Sequence, residues 1–268
     1  MHLSGIFIYP VKSLGGFSVS SAEIDELGFV GDRRFLVVDE SGRFLTQRTL
    51  PRMALIATAL TPDALVLSTN GRASLSVSRH HDPSAPVRAV SVWNSHGLSA
   101  EDCGNDAAAW LGTFLGVICR LVRIGPAFHR KSTPNDLVNF ADGYPFLVIG
   151  EASLGDLNDR LMGRGEEALP MNRFRPNLVV SGSRAFAEDA WPRVRIGEIV
   201  LRDAGPCTRC VVTTTDQLTA ERGVEPLRTL ASYRRDTKKP TEVNFGQNLV
   251  HETKRGTLRV GDAVEILA

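Results

Sequence analysis

Residues 34–45 read Arg34-Phe35-Leu36-Val37-Val38-Asp39-Glu40-Ser41-Gly42-Arg43-Phe44-Leu45. A strand-sized run rich in β-branched and aromatic residues meets the turn Asp39-Glu40-Ser41-Gly42, and a second such run leaves it. The same grammar repeats outward from this point. Residues 3–9, 17–24, 54–60 and 64–68 are strand-sized runs bounded by Gly, Pro, Asn or Asp, and Thr69-Asn70-Gly71-Arg72 is a hairpin signal of the Asn-Gly type. The first hundred residues therefore read as mostly antiparallel β.

Two helices stand out. Asn105-Asp106 is expected to cap one that carries Trp110, Leu111, Phe114 and Leu115 on one face. The other is expected over residues 151–162, with Leu154, Leu157 and Leu161 in register and Gly163 as its stop. Strands are then expected at 177–181, 198–203, 210–215 and 257–267. The polar, proline-bearing segment 128–136 forms the seam, which divides the chain into units 1–125 and 126–268. The fold class is mainly β (α+β).

The chain has 268 residues, enough to bury roughly 70–75% of its extended surface in a core that needs no staple. Its 31 basic and 30 acidic side chains give a net charge of +1, which argues against a nucleic-acid partner held by bulk charge. Any anion site must then be a local cluster. No secretory signal or membrane-length apolar run is readable. Four cysteines in so long a chain are not a disulfide framework and suit a reducing cytoplasm. His80-His81, in a Pro/Asp loop, reads as solvated surface.

Chemistry first suggests itself at Gly205-Pro206-Cys207-Thr208-Arg209-Cys210, where a Cys-x-x-Cys turn holds two thiols close together and Arg209 between them favours a thiolate. Zinc ligation, dithiol redox work and a single thiolate for a soft metal all suit that arrangement. Against zinc stands the lack of a second knuckle, because Cys103 and Cys119 flank a helix. Against a thioredoxin-like dithiol stands the β-rich run that follows the pair. A second constellation is basic: Arg173-Phe174-Arg175-Pro176-Asn177, Tyr9-Pro10-Val11-Lys12-Ser13 and Asp32-Arg33-Arg34 each put a cation beside a turn, as a phosphate-bearing ligand requires.

Five motifs in order, Tyr9-Pro10-Val11-Lys12-Ser13-Leu14, Gly31-Asp32-Arg33-Arg34-Phe35, Phe174-Arg175-Pro176-Asn177, Cys207-Thr208-Arg209-Cys210 and Phe245-Gly246-Gln247, resemble the MOSC family. Within it the chain is similar to the molybdenum-cofactor reductases typified by the mitochondrial amidoxime-reducing component and its bacterial relatives. The resemblance runs from about residue 3 to the C-terminus. It implies a β-barrel MOSC domain behind a β-rich N-terminal domain with a few helices, and a molybdenum cofactor (molybdopterin) between them.

Carried over position by position, the resemblance makes Cys210 the molybdenum ligand and the catalytic residue, with Arg209 helping to keep its thiol deprotonated. Lys12, Ser13, Arg33 and Arg175 are implied to hold the pterin and its phosphate. Asp142, Asn177, Thr208, Arg209 and Asn248 are implied as further cofactor contacts, and so are Gly143 and Tyr144, although Ala141-Asp142-Gly143-Tyr144-Pro145 has fewer hydroxyls than its mitochondrial counterparts. Cys207 has no assigned task. The mitochondrial type of N-terminal anchor and the C-terminal ferredoxin domain of some relatives are not expected. Reduction of N-hydroxylated compounds (amidoximes, hydroxamic acids, N-hydroxylated bases) would then draw electrons from a separate protein of ferredoxin, cytochrome b5 or flavoprotein type. The alternative is a non-redox carrier of the cofactor, or a sulfur-transfer protein. Segments 128–140 and 233–245 are expected to shape the pocket.

Overall fold

The first strand, His2–Ile8, buries Leu3, Ile6 and Ile8, and it finds its partners far along the chain. In the computed structural model, which describes residues 1–133 and 135–267, it pairs antiparallel with Phe17–Val19 on one side and with Leu178–Ser181 on the other. Pro134 of the expected seam, and Ala268, lie outside the described residues.

An eight-stranded sheet results, in the order Phe17–Val19, His2–Ile8, Leu178–Ser181, Phe146–Gly150, Asn244–His251, Ile199–Thr208, Arg193–Ile196 and Val264–Leu267. Its one parallel pair, Phe146–Gly150 with Leu178–Ser181, is joined through the helix Glu151–Met162. That helix buries Leu157 and Leu161 and ends at Gly163, as its spacing implied. The strands bury Val148, Leu178, Leu201 and Leu249 in the main core with Leu3 and Ile6.

Residues 35–124 build two further layers. Phe35–Val38, Arg120–Ile124, Ser95–Asp102 and Val87–Val92 form a four-stranded antiparallel sheet. Ala57–Leu60, Ala64–Ser68 and Leu75–Ser78 form a three-stranded one, with the expected turn at Asn70-Gly71 between the last two. The helix Asn105–Leu115 buries Leu111 and Leu115 in the core shared with these strands. With a third, one-turn helix at Leu227–Leu230, the fold is mainly β, as the strand grammar implied.

The structure corrects several boundaries. Gly104, at φ +93°, and not Asn105 caps the first helix, and the Asn105 amide instead accepts from Arg120. Residues 17–24 divide between two sheets, since Ser21–Asp25 pairs with Gly256–Arg259. Residues 257–267 likewise divide, because Val264–Leu267 joins the large sheet. Pro51–Leu55, at the start of the run expected as a strand from 54, is a 3-10 turn. The expected strand 210–215 is also 3-10, over Val211–Thr214: its hydroxyls bond back to the chain, Thr213 Oγ1 to the Cys210 carbonyl and Thr214 Oγ1 to that of Val211, both at 2.9 Å.

Buried His251 ends the central strand Asn244–His251, its ring 5.3 Å from that of Phe146 and its Nε2 donating to the Asp25 carbonyl at 2.8 Å. Burial, aided by nearby Lys254, pushes its imidazolium down to about 4, so the folded chain holds it neutral while the unfolded chain takes up a proton from about pH 6.5 downward. Stability should therefore fall as pH drops from about 6.5 toward about 4, by roughly 2 kcal/mol between pH 7 and 5 from this group. Urea unfolding at both pH values should show that increment shrinking in His251→Gln; an unchanged difference would exonerate the histidine.

Candidate functional site

The strand order puts five chain segments at one end of the sheet. Ile6 is paired with Leu178, Phe146 with Leu249 and Pro206 with Gln247, so the residues just beyond those pairs converge. They are the loop after His2–Ile8, the approach to Phe146, the approach to Leu178, the exit of Ile199–Thr208, and Asn248. A cavity of about 150 Å³ lies among them. All twelve positions singled out from sequence line it: Lys12, Ser13 and Arg33 from the first unit; Asp142, Gly143 and Tyr144; Arg175 and Asn177; Thr208, Arg209 and Cys210; and Asn248.

Three of these hold backbone conformations that non-glycine residues rarely adopt: Ser13 at φ +66°, Arg33 at +45° and Arg175 at +57°. Each costs about 1–3 kcal/mol, which the surrounding packing must offset, and such strain gathers where a side chain has to be aimed. Arg33 is held by buried Asp32, at 2.7 and 2.9 Å, and donates to Asn177 Oδ1 at 2.8 Å. The Arg33 and Arg175 guanidiniums lie 4.5 and 4.3 Å from the ring centre of Tyr9. Burial pushes the Tyr9 hydroxyl up to about 12 against the pull of both arginines, and pushes Arg175 down to about 10, which leaves it charged at neutral pH.

Asp142 is the hub of the second half. Its carboxylate accepts from Lys12 Nζ, from Arg48 Nη2 at 3.1 Å and from Trp93 Nε1 at 3.1 Å. The surrounding protein desolvates this half-exposed carboxyl and opposes its ionisation, but Lys12 and then Arg48 hold it well below the usual carboxylate range. In turn burial pushes the Lys12 ammonium down to about 8, with Asp142 opposing. The loop carrying Asp142 is pinned by buried Arg130, which donates to the carbonyls of Asn139, Ala141 and Asp142 at 2.9, 2.6 and 2.8 Å. Arg130 belongs to the segment 128–140 expected to shape the pocket.

The cysteine turn holds a correction. Arg209 donates to Cys207 Sγ at 3.0 Å and to the Phe174 carbonyl at 2.7 Å, so it serves Cys207 and not Cys210. In extended backbone residues i and i+2 share a side, which pairs 207 with 209 and sets Cys210 apart. The cation beside the Cys210 thiol is Arg48. Neither Arg48 nor Trp93 was picked out from sequence. Thr46-Gln47-Arg48 is one more cation beside a turn, and only its distant partners distinguish it. Thr208 Oγ1 donates to Glu242 and Asn244, and the Asn248 amide donates to the Pro206 carbonyl.

All four cysteines are free. Burial pushes the thiols of Cys103, partly buried, and Cys119, in the core, up to about 12 and about 11, so both stay protonated at neutral pH. Among the described residues no group of three or more His, Cys, Asp or Glu could hold a metal, and His80 and His81 pair with Asp63 and Glu101. No helix among them is long and apolar enough to cross a membrane.

The donor set has a definite chemistry. Five cations line the cavity (Lys12, Arg33, Arg48, Arg175, Arg209) against one carboxylate, Asp142. Among the described residues the Arg175 guanidinium donates to no protein acceptor, and buried Arg209 Nε and Tyr9 Oη are also without partners. With the Cys210 thiol beside them, these groups fit an anionic ligand that carries a soft metal.

Fold and cavity thus define a mainly β protein with an electropositive, thiol-bearing cleft between segments distant in sequence. Residues 1–118 match the MOSC N-terminal beta barrel domain and residues 135–265 the MOSC domain, and the chain belongs to the MOSC family. It is 39% identical to mitochondrial amidoxime-reducing component 1 of Mus musculus, over 98% of this chain and 81% of that protein, and 36% identical to the Homo sapiens protein over 98% and 82%. It is also 34% identical to the molybdenum cofactor sulfurase of Danio rerio, over 95% of this chain but 32% of that protein.

Sulfate, whose charge is constant from pH 7 to 9, should bind this cleft in calorimetric titrations. Because Lys12 titrates near about 8, affinity should weaken above that pH by up to about tenfold per unit. Lys12→Met should bind more weakly and flatten the profile, and a pH-independent wild type would show that Lys12 does not face the anion.

Proposed function

We propose that this protein is a molybdenum-cofactor-dependent reductase of N-hydroxylated compounds such as amidoximes, hydroxamic acids and N-hydroxylated bases. The observation that carries the reading is the convergence of the Cys210 thiol and an under-compensated cation cluster on one cavity. The similarity to amidoxime-reducing components over nearly the whole chain supports it.

On this reading Cys210 is the metal ligand, a soft thiolate for a soft metal. Lys12, Ser13, Arg33 and Arg175 hold the anionic tail, and Asn177, Thr208, Arg209, Asn248 and the 142–144 backbone fix the pterin. When bound, the cofactor supplies a two-electron centre able to accept an oxygen atom. Asp142 keeps Lys12 and Arg48 aimed inward, and Arg130 holds the Asp142 loop in place through three of its carbonyls. Overall, two electrons and two protons enter, the N–O bond breaks, the N–H compound forms and water leaves. A separate ferredoxin, cytochrome b5 or flavoprotein would deliver the electrons. The units 1–125 and 126–268 then serve as the two walls of the cofactor cleft, in a cytoplasmic setting.

A second reading, a carrier of the cofactor or a sulfur-transfer protein, is favoured by the match to a molybdenum cofactor sulfurase. Expression in a host that makes the cofactor, with elemental analysis and benzamidoxime reduction by a chemical donor, separates the two. Near-stoichiometric molybdenum with turnover is the expected result. Metal without turnover would favour the carrier, and no molybdenum would remove the reductase and the cofactor carrier alike.

Two mutational outcomes follow. Cys210→Ala should abolish reduction in a folded protein while Cys207→Ala keeps most of it; equal retained activity in both would sink the ligand assignment. Lys12→Ala and Arg175→Ala should lower molybdenum per protein severalfold with turnover per molybdenum little changed. Full occupancy in both would take these residues out of the site.

A further inference from the structure

We propose that a groove beside the cysteine-bearing cavity, walled by Trp93 and Phe44, binds the aromatic ring of an uncharged N-hydroxylated substrate, and that Trp93 selects aromatic over aliphatic compounds. The groove has a volume of about 800 Å³, within the range of small-molecule sites, and lies between the turn at 39–44 and the hairpin tip Trp93-Asn94. Arg48 lines both the groove and the cavity and stands beside the Cys210 thiol, so the two meet at the thiol end.

Trp93 is strained in its position. Val92 pairs with Ser95, which leaves Trp93-Asn94 as a two-residue hairpin loop, and Trp93 sits there at φ +52°. Hairpins of this length favour glycine or asparagine where φ is positive, and a bulky side chain is an outlier. Strain of that kind persists where a side chain has to be presented, and this one stays 43% exposed. The indole is also fixed: its Nε1 donates to Asp142 at 3.1 Å, Arg48 lies 4.6 Å from its ring centre, and the Phe44 ring meets it at 5.0 Å and 66°. Lys12 lies 5.5 Å from the centre of the Phe44 ring. Lys12 and Arg48 belong to the cavity lining, whereas Trp93 and Phe44 line the groove and not the cavity. The cations therefore cover the cavity side of this aromatic pair, and its remaining surface belongs to the groove.

The charges suit an uncharged ring. Arg48 is matched by Asp142, and the groove's other charged side chains, Arg43 and Asp39, are neighbours of opposite sign. The groove thus lacks the cation excess of the cavity, and aromatic surface is left to supply the attraction. Exposed Asn94 and His96 add polar edges at the rim. Placing the N-hydroxyl end toward Cys210 rests on the reductase reading above; the groove and its aromatic wall do not.

Protein from a cofactor-making host is to be assayed for kcat/KM per molybdenum with benzamidoxime and acetamidoxime. The same preparation is to be titrated calorimetrically with benzhydroxamic and acetohydroxamic acid in the absence of an electron donor. The wild type should favour the aromatic member of each pair. In Trp93→Gly and Trp93→Asn, which suit the left-handed position, that preference should fall about tenfold, and Trp93→Phe should recover most of it. Because the readout is a ratio between two compounds, a general loss from disturbing Asp142 cancels. A wild type without the preference, or a preference indifferent to Trp93→Gly and Trp93→Asn, overturns the proposal. Failure of Trp93→Phe to recover it would trace the loss to the Asp142 contact and overturn it too. Aromatic-selective binding that depends on Trp93, without turnover, would leave the groove standing and remove the reductase reading; turnover at an unchanged ratio in the variants would do the reverse.

Discussion

The ion cluster at Asp142 is the contact on which the rest of the site depends. It joins Lys12, 130 positions away, and Arg48, 94 away, to a loop that enters the central sheet four residues later. Left alone there, buried Lys12 and half-buried Arg48 would repel each other, and Lys12 would carry most of the desolvation cost of its charge. One carboxylate lets both remain, and it leaves them positively charged toward the cavity. The cluster is therefore less a source of stability than a way to keep cations where a bare hydrophobic contact would keep none.

What makes that cluster possible is the interleaving of the chain. His2–Ile8 sits inside a sheet otherwise built mostly from residues beyond 146, and Ser21–Asp25 is tied to Gly256–Arg259. Lys12 and Ser13 follow directly on the first of these strands, so their position is fixed by the register Ile6 to Leu178, and Arg175 and Asn177 precede that same partner strand. The left-handed backbone at Ser13, Arg33 and Arg175 falls in these junctions, where two flanking strands or a turn over-determine the path.

Local patterns carried the fold class, the hairpin at Asn70-Gly71 and the helix Glu151–Met162, because each is decided by neighbours within one turn or one strand pair. The pattern at Phe146–Gly150 was unreadable for the opposite reason. A strand buried on both faces shows no alternation, and Asn244–His251, which also lies at the centre of the sheet, was masked by its Gly246 and polar Gln247 and Asn248. The twelve cavity residues were legible only through motifs in order. What those motifs did not carry was pairing: that Arg209 faces Cys207, and that Arg48 and Trp93 close on Asp142, depend on which side of an extended segment a residue takes and on contacts about 50 to 94 positions apart.

Net charge conceals this site, and the reason lies in how the arginines are distributed. Outside the cavity, Arg88 and Arg120 share Asp102, Arg123 is matched by Glu101, and Arg202 meets Asp136 together with Lys254. Arg123 and Glu101 cancel outright, while Asp102 and Asp136 each offset one of the two cations they hold. Within the cavity Arg33 and Asp32 cancel in the same way, whereas Arg175 has only the Tyr9 ring, and an aromatic face does not neutralise a guanidinium. A chain with a net charge of +1 can therefore present an electropositive cleft, because many of its acids sit on cations elsewhere while five cations line this cavity against one carboxylate. Arg175, without a carboxylate partner among the described residues, stands on the wall shared by two cavities.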